Sequence, residues 1–226
     1  MAFYALIPAA GSGTRIPAEA PKQYLPLAGR PMLRHSVRAL CVPRVESVFV
    51  VLAPEDKVFA THDWSEFDGR LQPLYCGGET RRDSVYNGLV AAMAEVEADD
   101  WVLVHDAARP CLPARDLDHL MHEIEGDEVG GILALPVVDT VKTVLQDRIE
   151  STVERSRLWL AQTPQMFRAG LLLQALAHAK GSPTDEAAAV EQLGLKPRVV
   201  PGSRENLKVT WPEDMAIAEG ILRTRR

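Results

Sequence analysis

Phe3-Tyr4-Ala5-Leu6-Ile7-Pro8-Ala9-Ala10-Gly11-Ser12-Gly13-Thr14-Arg15 opens the chain, and Pro21-Lys22-Gln23-Tyr24 follows close behind. Phe3 to Ile7 is a short apolar run of strand type. The small residues after it leave backbone N–H groups uncovered, and glycine, which has no Cβ, lets such a loop wrap an anion closely. Arg15 and Lys22 bring mobile positive charge to the same place. The stretch reads as a nucleoside-triphosphate site behind a first strand. It departs from two other phosphate-binding patterns. A dinucleotide fingerprint needs glycine three residues after Gly13, where Ile16 stands, and a P-loop needs a terminal Gly-Lys-Ser/Thr that this stretch lacks.

Working outward, strand-like runs alternate with helical patterns. Val45 to Leu52, Leu71 to Tyr75, Trp101 to His105 and Gly131 to Leu135 have strand character. Met32 to Leu40, Arg81 to Met93 and Ala114 to Glu123 have helical spacing; Val85, Leu89 and Ala92 fall on one face, and Thr80 with Asp83 resembles a capping box. Further helices are expected near Ala169 to Ala179, Asp185 to Leu193 and Glu213 to Arg223, with Thr184 and Pro212 at helix-start positions. This alternation predicts an α/β fold with a mostly parallel sheet covered by helices on both faces. Ligands of such sheets sit beyond the carboxyl ends of the strands, where the loops of interest here also fall. Asp139 to Val153 breaks the rhythm. It reads as a β-hairpin with too few large apolar residues to stand alone, either an arm that packs on a partner subunit or an edge hairpin on its own domain.

Composition narrows the function. The chain has 226 residues, 46% of them hydrophobic, and a formal net charge of −6. That balance argues against a broad nucleic-acid-binding surface. Residues 1–30 invert it, with Arg15, Lys22 and Arg30 against Glu19, which suits a small anionic ligand. No stretch is long and apolar enough to span a bilayer, so no membrane partner is expected. A signal-peptide pattern is missing, and Cys41, Cys76 and Cys111 are too scattered for a disulfide framework, so a cytoplasmic location is expected.

Two further loops carry chemistry. Gly77-Gly78-Glu79-Thr80-Arg81 leads into the capped helix, where backbone groups and the Ser84 hydroxyl could read the edges of a pyrimidine; the plain alternative is a turn feeding the helix. His105-Asp106-Ala107-Ala108-Arg109-Pro110 follows a strand directly. Its carboxylate could accept ribose hydroxyls or sit near a magnesium ion, or it could merely pair with Arg109. His119 and His122 share a helix face but lack a third metal ligand, and Cys76 has no evident histidine partner.

These segments together resemble the 2-C-methyl-D-erythritol 4-phosphate cytidylyltransferase family of the non-mevalonate isoprenoid pathway. The resemblance runs from Pro8 almost to the C-terminus. Besides the loops already quoted it includes Asp139-Thr140-Val141-Lys142, Thr163-Pro164-Gln165, Thr184-Asp185-Glu186-Ala187 and Asn206-Leu207-Lys208-Val209-Thr210. It implies a Rossmann-like nucleotidyltransferase fold in one domain over residues 1–226, a homodimer joined by β-arms at about 137–155, and dependence on Mg²⁺ or another divalent cation. It implies the transfer of CMP from CTP to methylerythritol phosphate with release of pyrophosphate. Carried over residue by residue, Pro8, Ala9, Ala10, Gly11, Gly13, Gly78, Glu79 and Ser84 would hold the nucleotide, and Asp106 and Ala107 would meet the ribose. Arg15 and Lys22 would stabilise the transition state. Arg155 from the neighbouring subunit and Lys208 would position the acceptor phosphate, helped by Arg109, Thr140 and Thr163. Glu79 stands where some relatives carry Asp, and the length leaves no room for a fused cyclase domain. Three alternatives stay open: a cytidylyltransferase for another polyol phosphate such as ribitol 5-phosphate, a nucleotidyltransferase making an activated sugar from UTP or GTP, or a non-catalytic nucleotide-binding subunit.

Overall fold

A computed structural model gives the fold and describes residues 1–11, 20–67 and 69–225. In chain order its elements begin with β1 (Phe3–Pro8), β2 (Pro26–Leu27), β3 (Arg30–Pro31), α1 (Met32–Leu40), β4 (Val45–Val51) and β5 (Leu71–Leu74). Next come α2 (Arg81–Ala92), β6 (Trp101–Val104), α3 (Ala114–Ile124), β7 (Gly130–Pro136), β8 (Val141–Leu145) and β9 (Arg148–Val153). The chain closes with β10 (Trp159–Arg168), α4 (Ala169–His178), α5 (Glu186–Glu191), β11 (Arg198–Pro201) and α6 (Pro212–Thr224).

Seven strands form one sheet in the order β11-β7-β10-β6-β1-β4-β5. β1 pairs in parallel with β4 and β6, β4 with β5, and β11 with β7, whereas β10 runs antiparallel to both β6 and β7. The expected α/β class is thus present, mostly parallel, with one reversed strand inside the sheet. Side-chain alternation explains why both faces are covered. Ala5, Ile7, Val48, Val50, Trp101 and Leu103 join a core beneath α1 and α3. Leu6, Phe49, Val51, Val102 and Val104 point the other way, into a core with α2, α4 and α5. Strands buried on both sides read as continuous apolar runs, which is how they look in the sequence.

The helix starts follow local chemistry. Thr80 and Asp83 form the expected capping box of α2, each side chain bonding the other's backbone N–H. At α5 the expectation of Thr184 as the start signal is corrected: Asp185 is the cap, its carboxylate accepting from Ala188 N at 2.9 Å, and the helix begins at Glu186. A carboxylate at this position answers both the open N–H groups and the helix dipole. Pro212 sits at the start of α6 as expected.

β8 and β9 form a separate two-stranded hairpin that continues outward from where β7 and β10 leave the sheet. Gln146 and Asp147 turn it with positive φ, the two-residue bend that matches strand twist.

Candidate active site

Chain order across the sheet reverses at β1: the chain moves from β1 outward to β4 and β5, then returns to place β6 on the other flank. Such a switch point leaves a crevice at the carboxyl ends of the strands. A cavity of about 490 Å³ lies there, lined by residues that follow β1, β5 and β6. That is room for a nucleotide-sized ligand.

Each wall has a local cause. After β1, Ala9 N donates to Val51 O at 2.8 Å, and the buried Gln23 amide donates to Ala9 O at 2.7 Å, so this backbone is held from both sides. After β5, Gly77 N donates to Leu52 O at 2.8 Å, and a Cβ on Gly77 would lie 2.3 Å from the Ala10 Cβ. Glycine is required for the two loops to approach so closely. The next amide, Gly78 N, donates to the Ser84 hydroxyl at 3.1 Å, and that hydroxyl in turn donates to Thr80 O at 3.0 Å. Ser84 therefore lines the cavity and ties the glycine turn to α2.

After β6 the buried His105 organises the loop. Its Nε2 lies 3.0 Å from the Arg109 carbonyl, which can only accept, so Nε2 carries the proton. Nδ1 then accepts from the Thr163 hydroxyl at 3.1 Å, and the same oxygen accepts from Asp106 N at 3.0 Å. Burial pushes the imidazole down to about 4, which keeps it neutral.

The Asp106 carboxylate is the charged centre. Arg81 Nε donates to one oxygen at 2.9 Å, Lys208 Nζ lies 2.8 Å from the other, and Arg109 Nε stands farther off at 3.9 Å. Burial works against its ionisation, but the charges of Arg81, Lys208 and Arg109 hold the carboxyl below the usual carboxylate range. The simple Asp106–Arg109 pair weighed from the sequence is the weakest of the three contacts. Lys22 Nζ donates to Val209 O at 2.7 Å, beside Lys208, so the first loop and the 206–209 segment meet across the cavity.

Eleven of the residues named from the sequence line this one cavity: Pro8, Ala9, Ala10, Gly11, Lys22, Gly78, Glu79, Ser84, Asp106, Ala107 and Lys208. Gly13 and Arg15 lie outside the described residues. Arg109 and Thr163 stand behind the wall. Arg109 donates to Asn206 O at 2.7 Å and Ala161 O at 3.3 Å, which fixes backbone rather than reaching into the cavity. Thr140 and Arg155 are exposed beside the hairpin, apart from this chain's own cavity. The other candidates stay peripheral. His119 and His122 are exposed beside Glu123 and Glu125. Burial raises the Cys76 thiol, the wrong direction for a nucleophile.

The lining also contains Gln23, Met32, Thr80, Arg81 and Ala108, none of them among the site residues that the family resemblance carries over. Arg81 had a signal. It is the first residue of α2, where a cation opposes the helix dipole, and such a placement asks for a reason beyond helix formation.

A cation-bearing cavity at the switch point of an open, mostly parallel sheet marks an α/β protein of the nucleotide-binding class. The family model for IspD, 2-C-methyl-D-erythritol 4-phosphate cytidylyltransferase, matches residues 3–224. The enzyme of that name from Nitrosospira multiformis is 56% identical, covering 98% of this chain and 97% of its own. A crystal structure of a 4-diphosphocytidyl-2C-methyl-D-erythritol synthase superposes with a TM-score of 0.87 at 38% identity, covering 98% of both chains. That of the Francisella tularensis 2-C-methyl-D-erythritol 4-phosphate cytidylyltransferase gives 0.80 at 35% identity, covering 98% of this chain and 100% of the other. The chain belongs to the 2-C-methyl-D-erythritol 4-phosphate cytidylyltransferase family.

Proposed function

We propose that this chain transfers the cytidylyl group of CTP to 2-C-methyl-D-erythritol 4-phosphate, forming 4-diphosphocytidyl-2-C-methyl-D-erythritol and pyrophosphate in isoprenoid precursor synthesis. The observation that carries this reading is the single cavity in which eleven expected residues converge, in a chain matched by the family over residues 3–224.

The chemistry follows from charge. An oxygen of the acceptor phosphate attacks the α-phosphorus, the bond from that phosphorus to the bridging oxygen breaks, and pyrophosphate leaves with the electron pair. An ionised phosphate monoester is already nucleophilic, so no general base is required. The site has to align the two anions and spread the growing charge. Ala9, Ala10, Gly11, Gly78, Glu79 and Ser84 form the base-side wall, where rigid backbone can read a pyrimidine edge. Asp106 and Ala107 face the ribose, since each carboxylate oxygen of Asp106 keeps acceptor capacity beyond its cationic partner. Lys22, with Arg15, meets the triphosphate, and Lys208 meets the acceptor phosphate. Thr163 and Arg109 support this wall from behind through the Asp106 amide and the Asn206 carbonyl.

A divalent cation fits the lining. Asp106 and Glu79 are hard oxygen donors in the cavity wall, while among the described residues no cluster of three His, Cys, Asp or Glu could hold a metal by itself. Mg²⁺, when bound with the nucleotide, would supply neutralisation of phosphate charge.

The hairpin supports a homodimer. Val144, Leu145 and Ile149 are 57%, 61% and 66% exposed, and Trp159 and Leu160 continue the apolar surface at its root. A second copy seated there would cover this surface and bring Thr140 and Arg155 to its neighbour's acceptor site. Three free cysteines suit the reducing cytoplasm, and no helix among the described residues is long and apolar enough to cross a membrane.

The deciding assay is pyrophosphate release with CTP, Mg²⁺ and either methylerythritol phosphate or ribitol 5-phosphate. Preferred turnover with methylerythritol phosphate is expected, and equal or better turnover with ribitol phosphate overturns the acceptor. Mixed dimers of Arg155→Ala and Lys22→Ala protomers should recover part of the activity each lacks. Verified mixed dimers without recovery refute the shared site.

A further inference from the structure

Glu186 is the first residue of α5, with its side chain only 1% exposed. Among the described residues its carboxylate meets one side chain, Arg81. Nη1 of that guanidinium donates to Oε1 at 2.6 Å and Nη2 to Oε2 at 3.0 Å, a two-pronged contact across 105 positions of sequence. A buried carboxylate is costly unless paired this completely. A tie between α2 and α5 would need no more than this edge of the guanidinium. The other edge does something else: Nε points at the cavity and donates to Asp106 Oδ1 at 2.9 Å.

We infer that Glu186 is a positioning residue for the reaction, holding Arg81 in the plane that fixes the Asp106 carboxylate. Asp106 stands between two cations of unlike character. Lys208 ends in a compact ammonium on a flexible stem, whereas the Arg81 guanidinium is planar and directs its donors rigidly. Released from Arg81, the carboxylate would turn toward Lys208 and draw that cation away from the acceptor phosphate. With Glu186 in place, the Arg81 charge is already balanced, so Asp106 keeps its orientation and its remaining lone pairs for the nucleotide. Arg81→Lys would retain one positive charge but could not span both carboxylates. This inference rests on the proposed role of Asp106 at the nucleotide.

A double-mutant cycle on the full chain tests it, read by calorimetric CTP affinity in saturating Mg²⁺. Glu186→Gln keeps the shape and removes the charge, and should weaken CTP binding about tenfold, the size expected of a charge-assisted contact. In the Asp106→Asn background the same change should alter affinity by less than about twofold, because the group it positions is gone. Urea midpoints, which report the structural tie, should fall equally in both backgrounds. Equal affinity losses in the two backgrounds, or none in the parent, overturn the inference. Unchanged affinity in Asp106→Asn alone refutes the nucleotide role of Asp106 and removes the ground for the tether. Should Glu186→Gln not fold, Arg81→Lys replaces it in the cycle, with the same pattern expected and full CTP affinity as the refuting result.

Discussion

The switch-point cavity and the β8–β9 hairpin are built from opposite materials. Around the cavity nearly every charge is answered inside the chain: Asp106 by Arg81 and Lys208, Arg81 by Glu186, the His105 ring by Thr163 and a carbonyl. The hairpin holds itself by its ladder and by contacts such as Thr143 Oγ1 to Ser151 Oγ at 2.7 Å, and leaves its large apolar side chains on the surface. The difference teaches where self-sufficiency ends. A satisfied polar network is stable within one protomer, whereas an isolated hairpin is marginal and gains only by being covered.

The largest effect expected from breaking this contrast is on turnover. Lys22→Ala removes a preorganised cation from the cavity and should cost about 10²–10³ in the rate of pyrophosphate release, with the circular-dichroism spectrum unchanged. Near-normal turnover would remove Lys22 from the proposed chemistry.

Acid should act on the cavity before the hairpin. His105 is held neutral with its folded value near 4, below its ordinary 6.5, so the unfolded chain takes up a proton that the folded chain refuses. Stability from this group is complete above pH 6.5 and is lost as the pH falls toward 4, at up to about 1.4 kcal/mol per pH unit. Asp106, held below its ordinary 3.8, adds a further loss only beneath that value. Urea titrations at pH 7, 6, 5 and 4.5 measure the slope, and a flat profile contradicts it.

Packing between the two glycine-bearing loops sets a smaller term. Gly77→Ala would place a methyl 2.3 Å from the Ala10 Cβ and 2.8 Å from the Leu52 carbonyl oxygen. An overpacking cost of about 1–3 kcal/mol is expected from the urea midpoint, together with weaker CTP binding. Lost stability at full CTP affinity would separate the packing from the site.

The smallest effect on the protomer should come from the hairpin. Val144→Thr combined with Ile149→Thr should change unfolding free energy by no more than about 0.5 kcal/mol, as exposed substitutions do. Sedimentation should nevertheless show the proposed dimer shifting to monomer. A species of unchanged mass would place the subunit contact elsewhere.

Much of this contrast was legible in the residues. The first loop, the capping box and the strand ends could be read because glycine, small side chains and helix caps act over a few neighbouring positions. The hairpin was visible from its short β-rich runs. β10 escaped because Pro164 interrupts it and proline removes a ladder hydrogen bond, while its first residues, Trp159 to Ala161, are exposed. β11 is only four residues long. Thr184 and Asp185 are both good caps in adjacent positions, so composition could not choose between them. Arg81 and Glu186 each sat in a quoted motif, but what joins them is proximity across two helices, and sequence spacing carries no trace of it.

β10 has one further consequence. Its reversed direction brings Thr163 to the carboxyl end of β6, and the same ten-residue strand begins at the root of the hairpin. Thr163, whose hydroxyl accepts the Asp106 amide, lies four positions after the outermost ladder residue, Trp159. One strand thus carries both the root of the exposed hairpin and a hydroxyl that holds the cavity wall, with a ladder irregularity between Ala161 and Gln165.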